Sequence, residues 1–167
     1  MKNIDRKIHV IGLNSFKFED LTLEVKELFQ KISDIAAPNS YIHEIEEWVS
    51  MKFIEKKNFY NSKSNNELIE WLKFIDNDVI LLSRGDPLWY GIGRILLKNF
   101  SKDELFFYPG KTSVQLAFSR IKKSWQDIQA VSIHGRETNK LIKLLKSKEK
   151  GIAILTDPKN DNLELIR

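Results

Sequence analysis

The chain has 167 residues, 42% of them hydrophobic, no cysteine and a formal net charge of +4. That is enough apolar mass for a real core in one domain or two small ones, and the missing cysteines exclude disulfides and thiolate metal sites. No apolar run approaches the roughly 20 residues that span a bilayer, and the polar start Met1-Lys2-Asn3-Ile4-Asp5-Arg6-Lys7 lacks a signal-peptide pattern, so a cytoplasmic protein without a membrane partner is expected.

In chain order, Ile8 to Leu13 reads as a first strand buried on both faces, and Gly12 ends it. Leu21 to Phe29 has helical periodicity, with Leu21, Val25, Leu28 and Phe29 on one face and Asp20 placed to cap its start. Asp34 to Ala37 is a short strand closed by Pro38-Asn39-Ser40, and Ser40 is positioned to cap a helix from Tyr41 to Trp48. Lys52 to Glu55 is ambiguous and fits a short strand, whereas Asn58 to Asn66 is polar and loop-like. Glu67 to Ile75 is an amphipathic helix with Leu68, Trp71, Leu72 and Ile75 inward.

The stretch from Val79 to Arg94 organises the rest. Val79 to Leu82 is short and apolar, a buried strand. Gly85-Asp86-Pro87 then breaks it. Gly85 permits a backbone closed to other residues, Asp86 suits an N-cap, and Pro87 suits a first helical turn, which predicts a helix from Leu88 to Leu97. A strand, tight turn and helix set backbone N–H groups at a strand's carboxyl end, where open α/β sheets bind ligands. The plain alternative is a simple connection. Gly91 and Gly93 weigh against it, because glycines in a first turn cost about 1 kcal/mol each and need a close neighbour to explain them.

Leu105 to Tyr108 is a further strand closed by Pro109-Gly110, and Thr112-Ser113 open a helix to Phe118. Lys122-Lys123-Ser124 separates two halves without a long linker. The second half reads as a strand, Ile128 to Ile133, a helix, Glu137 to Leu145, a strand, Ile152 to Leu155, and the start of a helix at Asn162 to Ile166. The organisation is α/β, with residues 1–121 as a first domain and 122–167 as the start of a second.

His9, His43 and His134 stand apart and have no partner at metal-ligand spacing, so no metal site is expected. His9 reads as a satisfied core histidine and His43 as a surface one. No phosphate loop ending in Lys-Ser/Thr and no nucleophile elbow is present. Lys and Glu are interspersed and no basic stripe stands out, which disfavours nucleic acid. The mild positive charge suits a polyanionic small molecule equally well.

Four segments together resemble a known family. Ser83-Arg84-Gly85-Asp86-Pro87-Leu88-Trp89-Tyr90-Gly91-Ile92-Gly93 is similar to the signature loop of the tetrapyrrole (corrin/porphyrin) methylases. Tyr108 to Phe118, Trp125 to Arg136 and Ile154 to Asp157 match in the family's order and spacing. The resemblance is strongest to the branch of precorrin-6Y C5,15-methyltransferase, in its C5-methylating part. It implies two α/β domains with a cleft between them, the second incomplete here, since the family's second domain continues past this point. It also implies S-adenosylmethionine as cofactor, S-adenosylhomocysteine as product, and C5 methylation of a precorrin in cobalamin biosynthesis. A related methylase of other ring-position specificity, or a fragment acting only in dimerisation or binding, is the alternative.

By that resemblance the cofactor-binding residues are Leu13, Gly85, Asp86, Pro87, Tyr90, Thr112, Ser113, Gly135, Leu155, Thr156 and Asp157, the substrate-binding residues are Arg84, His134 and Arg136, and Arg84 with Arg94 is a candidate to meet the tetrapyrrole's carboxylates. Thr112-Ser113 read by themselves are helix caps. Arg94 reads as solvated surface. The first loop departs from the family in holding one glycine, Gly12, where a glycine-rich turn is usual. The family further implies a homodimer, and a fused or separate partner for C15 methylation and decarboxylation. No residue is identified as a catalytic base.

Overall fold

Five of the short apolar runs pair into one parallel sheet in the computed structural model, which describes residues 6–133, 139–147 and 151–156. Its strands are β1 (Ile8–Leu13), β2 (Asp34–Ala36), β3 (Asn58–Tyr60), β4 (Val79–Arg84) and β5 (Leu105–Tyr108), in the order β3-β2-β4-β1-β5. Every pairing is parallel, with Ile8 opposite Val79 and Leu105, and Asp34 opposite Val79 and Asn58. Parallel strands need covered faces, which is why β1 and β4 are apolar on both.

The helices between them are α1 (Leu23–Lys31), α2 (Asn39–Ser50), α3 (Asn65–Phe74) and α4 (Gly93–Asn99). Ile11, Leu13, Ile80 and Leu82 pack on one face with Val25 and Phe29 of α1 and Tyr41, Ile45 and Trp48 of α2. Ile8, Val10, Val79 and Leu81 pack on the other with Leu68, Ile69 and Leu72 of α3 and Leu96 of α4. The alternation of these residues along β1 and β4 follows the pleat. Arg6 is buried just before β1. Its guanidinium donates to the carbonyls of Leu72 and Ile75 at the end of α3, and to Glu104 at 2.8 Å.

The chain forms two units, Met1–Thr112 and Ser113–Arg167. In the second, α5 (Ser113–Ile121) leads toward β6 (Gln129–Ser132), which pairs in parallel with β7 (Ile152–Leu155). The intervening α6 (Asn139–Lys146) packs Leu141 against Val131 and Ile133.

Several expected boundaries are corrected. Thr22, not Asp20, caps α1, its hydroxyl accepting the Val25 N–H at 3.3 Å, while Asp20 accepts from the Ser15 hydroxyl at 2.8 Å. Ser40 lies inside the first turn of α2, whose N-cap is Pro38. Lys52 to Glu55 is not a strand. The strand is Asn58–Tyr60, at the start of the stretch read as loop: Phe59 and Tyr60 are strand formers that pair with β2, and the polar residues after them masked the signal. The helix expected from Leu88 begins only at Gly93, since residues 86–92 are consumed by a close-packed turn described below. The helix expected at Asn162 lies outside the described residues.

Candidate functional site

Three strands end in glycine at the carboxyl edge of the five-stranded sheet, and the three ends meet. A Cβ on Gly12, the last residue but one of β1, would stand 1.8 Å from the Gly85 carbonyl oxygen and 2.6 Å from the Gly110 nitrogen. A Cβ on Gly110 would stand 2.6 Å from the Gly12 oxygen. Backbone therefore lies directly on backbone, which only glycine permits. Gly85 also has φ +66°, in the left-handed region. Its N–H donates to the Leu13 carbonyl at 3.2 Å, and the Asn14 side-chain amide donates to the Lys111 carbonyl at 2.6 Å. The single glycine of the first loop is thus accounted for by loop packing.

The turn after Gly85 is built on its own backbone. The Asp86 carboxylate accepts the Leu88 N–H at 2.8 Å, and Trp89 and Gly93 donate back to the Asp86 and Pro87 carbonyls. Tyr90 adopts φ 54°, and its ring meets Trp89 edge-on at 4.9 Å. A Cβ on Gly91 would stand 2.5 Å from the Pro87 oxygen. The neighbour that Gly91 and Gly93 require is therefore this turn itself.

On the α1 side of the glycine junction lies a cleft of about 920 Å³, walled by Gly12, Leu13 and Asn14, by Asp20, Thr22 and Glu24, and by Phe106 to Lys111. This is the size of a small-molecule site. Deep on the same sheet face, His9 is buried with Nδ1 3.0 Å from the Tyr108 hydroxyl and its ring stacked on Phe106. Burial pushes the imidazole below its ordinary 6.5, with Lys7 adding to it and Asp78 and Glu24 opposing. Burial, helped by the Glu24 charge, raises the Tyr108 phenol. His9 is the satisfied core histidine expected. His43 is exposed on α2, 3.8 Å from Glu47.

Of the expected site residues, Leu13, Gly85 and Thr112 meet at the junction, with the Thr112 Cα 3.7 Å from where a Gly85 Cβ would be, while Asp86, Pro87 and Tyr90 build the turn that follows; of these six, Leu13 lines the cleft and the other five do not. Ser113 follows Thr112 and opens α5. Arg84 closes β4 and is exposed, as is Arg94 on α4. In the second unit, Leu155 ends β7 and its carbonyl accepts the Ile133 N–H at 2.9 Å, with Thr156 exposed beyond it. His134, Gly135, Arg136 and Asp157 lie outside the described residues. Sequence reasoning passed over Gly12, Asn14 and Gly110 as junction residues. A glycine closing each of β1, β4 and β5 was the available signal.

Residues 7–167 match the family model of the Tetrapyrrole (Corrin/Porphyrin) Methylases. The chain belongs to that family. This tetrapyrrole methylase is 28% identical over 162 residues to a probable cobalt-precorrin-7 C(5)-methyltransferase of Methanocaldococcus jannaschii, covering 95% of the chain and 76% of the relative. It is 33% identical over 70 residues to a cobalt-precorrin-7 C(5)-methyltransferase of Salmonella typhimurium, covering 41% of the chain and 35% of that protein. The crystal structure of a cobalamin biosynthesis precorrin-6Y methylase from Archaeoglobus fulgidus superposes with a TM-score of 0.55 at 21% identity, over 80% of the chain and 66% of that structure. The methylase fold is thereby established. The chain spans about three quarters of the archaeal relative and about two thirds of the solved structure.

Proposed function

We propose that this methylase transfers a methyl group from S-adenosylmethionine to C5 of a precorrin in cobalamin biosynthesis. The observation that carries the reading is the similarity along 95% of the chain to a relative bearing that activity in its name. In the reaction the carbon–methyl bond forms at C5, the sulfur–methyl bond breaks with its electron pair staying on sulfur, and C5 loses a proton to solvent or a substrate carboxylate.

The residues present fit such a cofactor. The cleft beside the glycine junction has the needed volume, and its charged lining, Asp20 and Glu24 against Lys111, is negative by one charge, which favours a cationic ligand. Bound there, the sulfonium supplies an already activated methyl group. The chain's task is then to hold and align, and positioning alone can contribute several kcal/mol to a transfer. The junction and the Asp86 turn give that rigidity. Charge at sulfur is lost in the transition state, so a carboxylate directly on it would favour the ground state. Asp86 is committed to the Leu88 N–H, which supports a shaping role for its carboxylate. Arg84 offers an exposed guanidinium to a tetrapyrrole carboxylate. We infer likewise a homodimer and cytoplasmic action, which sedimentation and fractionation test.

Calorimetric titration of S-adenosylhomocysteine tests the reading, using this chain, Asp86→Ala and Asp86→Asn. Asp86→Asn keeps an oxygen for the Leu88 N–H and is expected to bind, whereas Asp86→Ala is expected to lose at least tenfold while staying folded. A folded parent chain that binds no S-adenosylhomocysteine overturns the cofactor assignment.

A further inference from the structure

The wall of the large cleft contains a polar pair that the core does not need. His9 is the one polar side chain of β1, and it shares the α1 face with Ile11 and Leu13. On the neighbouring strand β5, Phe106 stands opposite His9 and Tyr108 opposite Ile11. The Lys7 ammonium lies 5.4 Å from the Phe106 ring centroid, Phe106 stacks on His9 at 5.5 Å, and His9 Nδ1 is 3.0 Å from the Tyr108 hydroxyl. A buried imidazole costs stability unless it is bonded, and an apolar pair would fill the same place without that cost.

Position distinguishes the pair. Tyr108 is half-buried and lines the cleft with Ile11, Leu13 and Val25 of the same face, while His9 is buried behind it. Glu24, in the first turn of α1, also lines the cleft, and its charge acts on both members of the pair. The hydrogen bond between them can run either way. If Nδ1 accepts, the Tyr108 proton is spent on His9 and the phenol oxygen keeps lone pairs for the cleft. If Nδ1 donates, Tyr108 accepts and its own proton is released as a donor.

We propose that Tyr108 is a cofactor contact whose polarity His9 sets, so that the pair makes the cleft prefer cationic S-adenosylmethionine over S-adenosylhomocysteine, whose sulfur is neutral. The inference rests on the reading above that the cleft takes the cofactor. Neutral His9 accepts through Nδ1, and the wall offers the sulfonium a phenol oxygen beside the π-electrons of the ring. A proton on His9 makes both ring nitrogens donors. Tyr108 must then accept, its proton is freed, and a positive charge stands behind the wall. Burial and Lys7 oppose that proton, whereas Asp78 before β4 and Glu24 on α1 favour it. Asp20 and Lys111 are the other charged groups of the cleft. His9 is thus a positioning residue that acts through Tyr108.

The test is calorimetry of both ligands between about pH 5 and 7 on the parent chain, Tyr108→Phe and His9→Gln. Tyr108→Phe keeps the ring and removes the oxygen, and at neutral pH it is expected to lower the affinity ratio of S-adenosylmethionine to S-adenosylhomocysteine about fivefold. In the parent that ratio falls about fivefold or more as pH drops. In His9→Gln it stays flat, because the glutamine amide can hold the hydroxyl but does not titrate. Nitrogen-15 NMR of the parent reads the same linkage without a variant: an Nε2–H tautomer at neutral pH, and a His9 titration that S-adenosylmethionine moves down and S-adenosylhomocysteine leaves in place. An Nδ1–H tautomer, a ratio untouched by Tyr108→Phe, or a parent ratio flat with pH overturns the inference. So does an equal fall in His9→Gln, which assigns the effect to Asp20 and Glu24. A parent that binds both ligands with the His9 titration unmoved keeps the cofactor reading and removes the role of the pair. A folded parent that binds neither removes both.

Discussion

Adding one methyl group at Gly12 tests the junction most directly. An alanine Cβ there meets the Gly85 carbonyl oxygen at 1.8 Å and the Gly110 nitrogen at 2.6 Å. Both are backbone atoms, so no rotamer change relieves the clash and the loops must part. Overpacking of this kind costs about 1–3 kcal/mol. Parting the loops also strains the Gly85 to Leu13 and Asn14 to Lys111 hydrogen bonds, at about 1 kcal/mol each. The sum is roughly 3–5 kcal/mol. A chain of this size loses about 2–4 °C per kcal/mol, so Gly12→Ala should melt roughly 6–20 °C below the parent. Gly85→Ala is the control. Its Cβ finds 3.3 Å of space but sits at φ +66°, a left-handed cost of about 1–2 kcal/mol. Circular dichroism melts give both values, and calorimetry with S-adenosylhomocysteine reports the cleft. A Gly12→Ala protein that melts with the parent and binds the ligand as tightly refutes the packed junction. So does one that loses less than Gly85→Ala.

Other substitutions probe what holds the edge in place. Arg6→Ala leaves the Leu72 and Ile75 carbonyls and the Glu104 carboxylate without their shared donor, and should cost about 3–5 kcal/mol in urea unfolding. Trp48→Phe removes the indole N–H that reaches the Phe16 carbonyl at 2.8 Å; about 1–3 kcal/mol should go, and S-adenosylhomocysteine affinity should fall because the same loop carries Asp20 into the cleft. His9 is held below its ordinary 6.5, so the unfolded chain takes up the proton first as pH falls. Stability from this group is full above about 6.5 and declines below it, and His9→Gln should flatten that decline in urea titrations across the range.

The fold was legible wherever burial dictated the residues. Ile8 to Leu13 and Val79 to Leu82 could only be two-faced strands, and Val25 with Phe29 marked the inner face of α1. What the chain conceals is anything decided by a partner distant in sequence. Asn58-Phe59-Tyr60 is too short a run before a polar stretch to announce a strand, and its place in the sheet shows only once β2 offers it an edge. Leu88 to Ile92 has helical residues after a good Asp-Pro start, yet the Asp86 carboxylate captures the Leu88 N–H and Tyr90 turns left-handed, so α4 waits until Gly93. The site divides the same way. The Gly85-Asp86-Pro87 loop announced itself as a motif, but the contact between Gly12, Gly85 and Gly110 spans about a hundred residues of chain and shows only when the strand ends are brought side by side.

That contact bears on the shape of the sheet's carboxyl edge. From β1 the chain crosses β4 to reach β2 over the face that carries α1, and from β4 it crosses β1 to reach β5 over the face that carries α4. The crevice that binds ligands in such sheets opens where neighbouring strand ends lead to opposite faces, here between β1 and β4. Here that position is closed by glycine backbone, with Gly85 donating to Leu13. Beside it lie a cleft over β1 and β5, lined by Asp20, Glu24 and Lys111, and a smaller recess over β2, β3 and β4. A methyl transfer needs two bound partners held at a fixed separation, one cationic at sulfur and one polyanionic. A rigid edge beside the cleft would serve that alignment, and the close backbone approach demands glycine at Gly12 and Gly110 and a left-handed residue at Gly85 even though none of the three need touch a reacting atom.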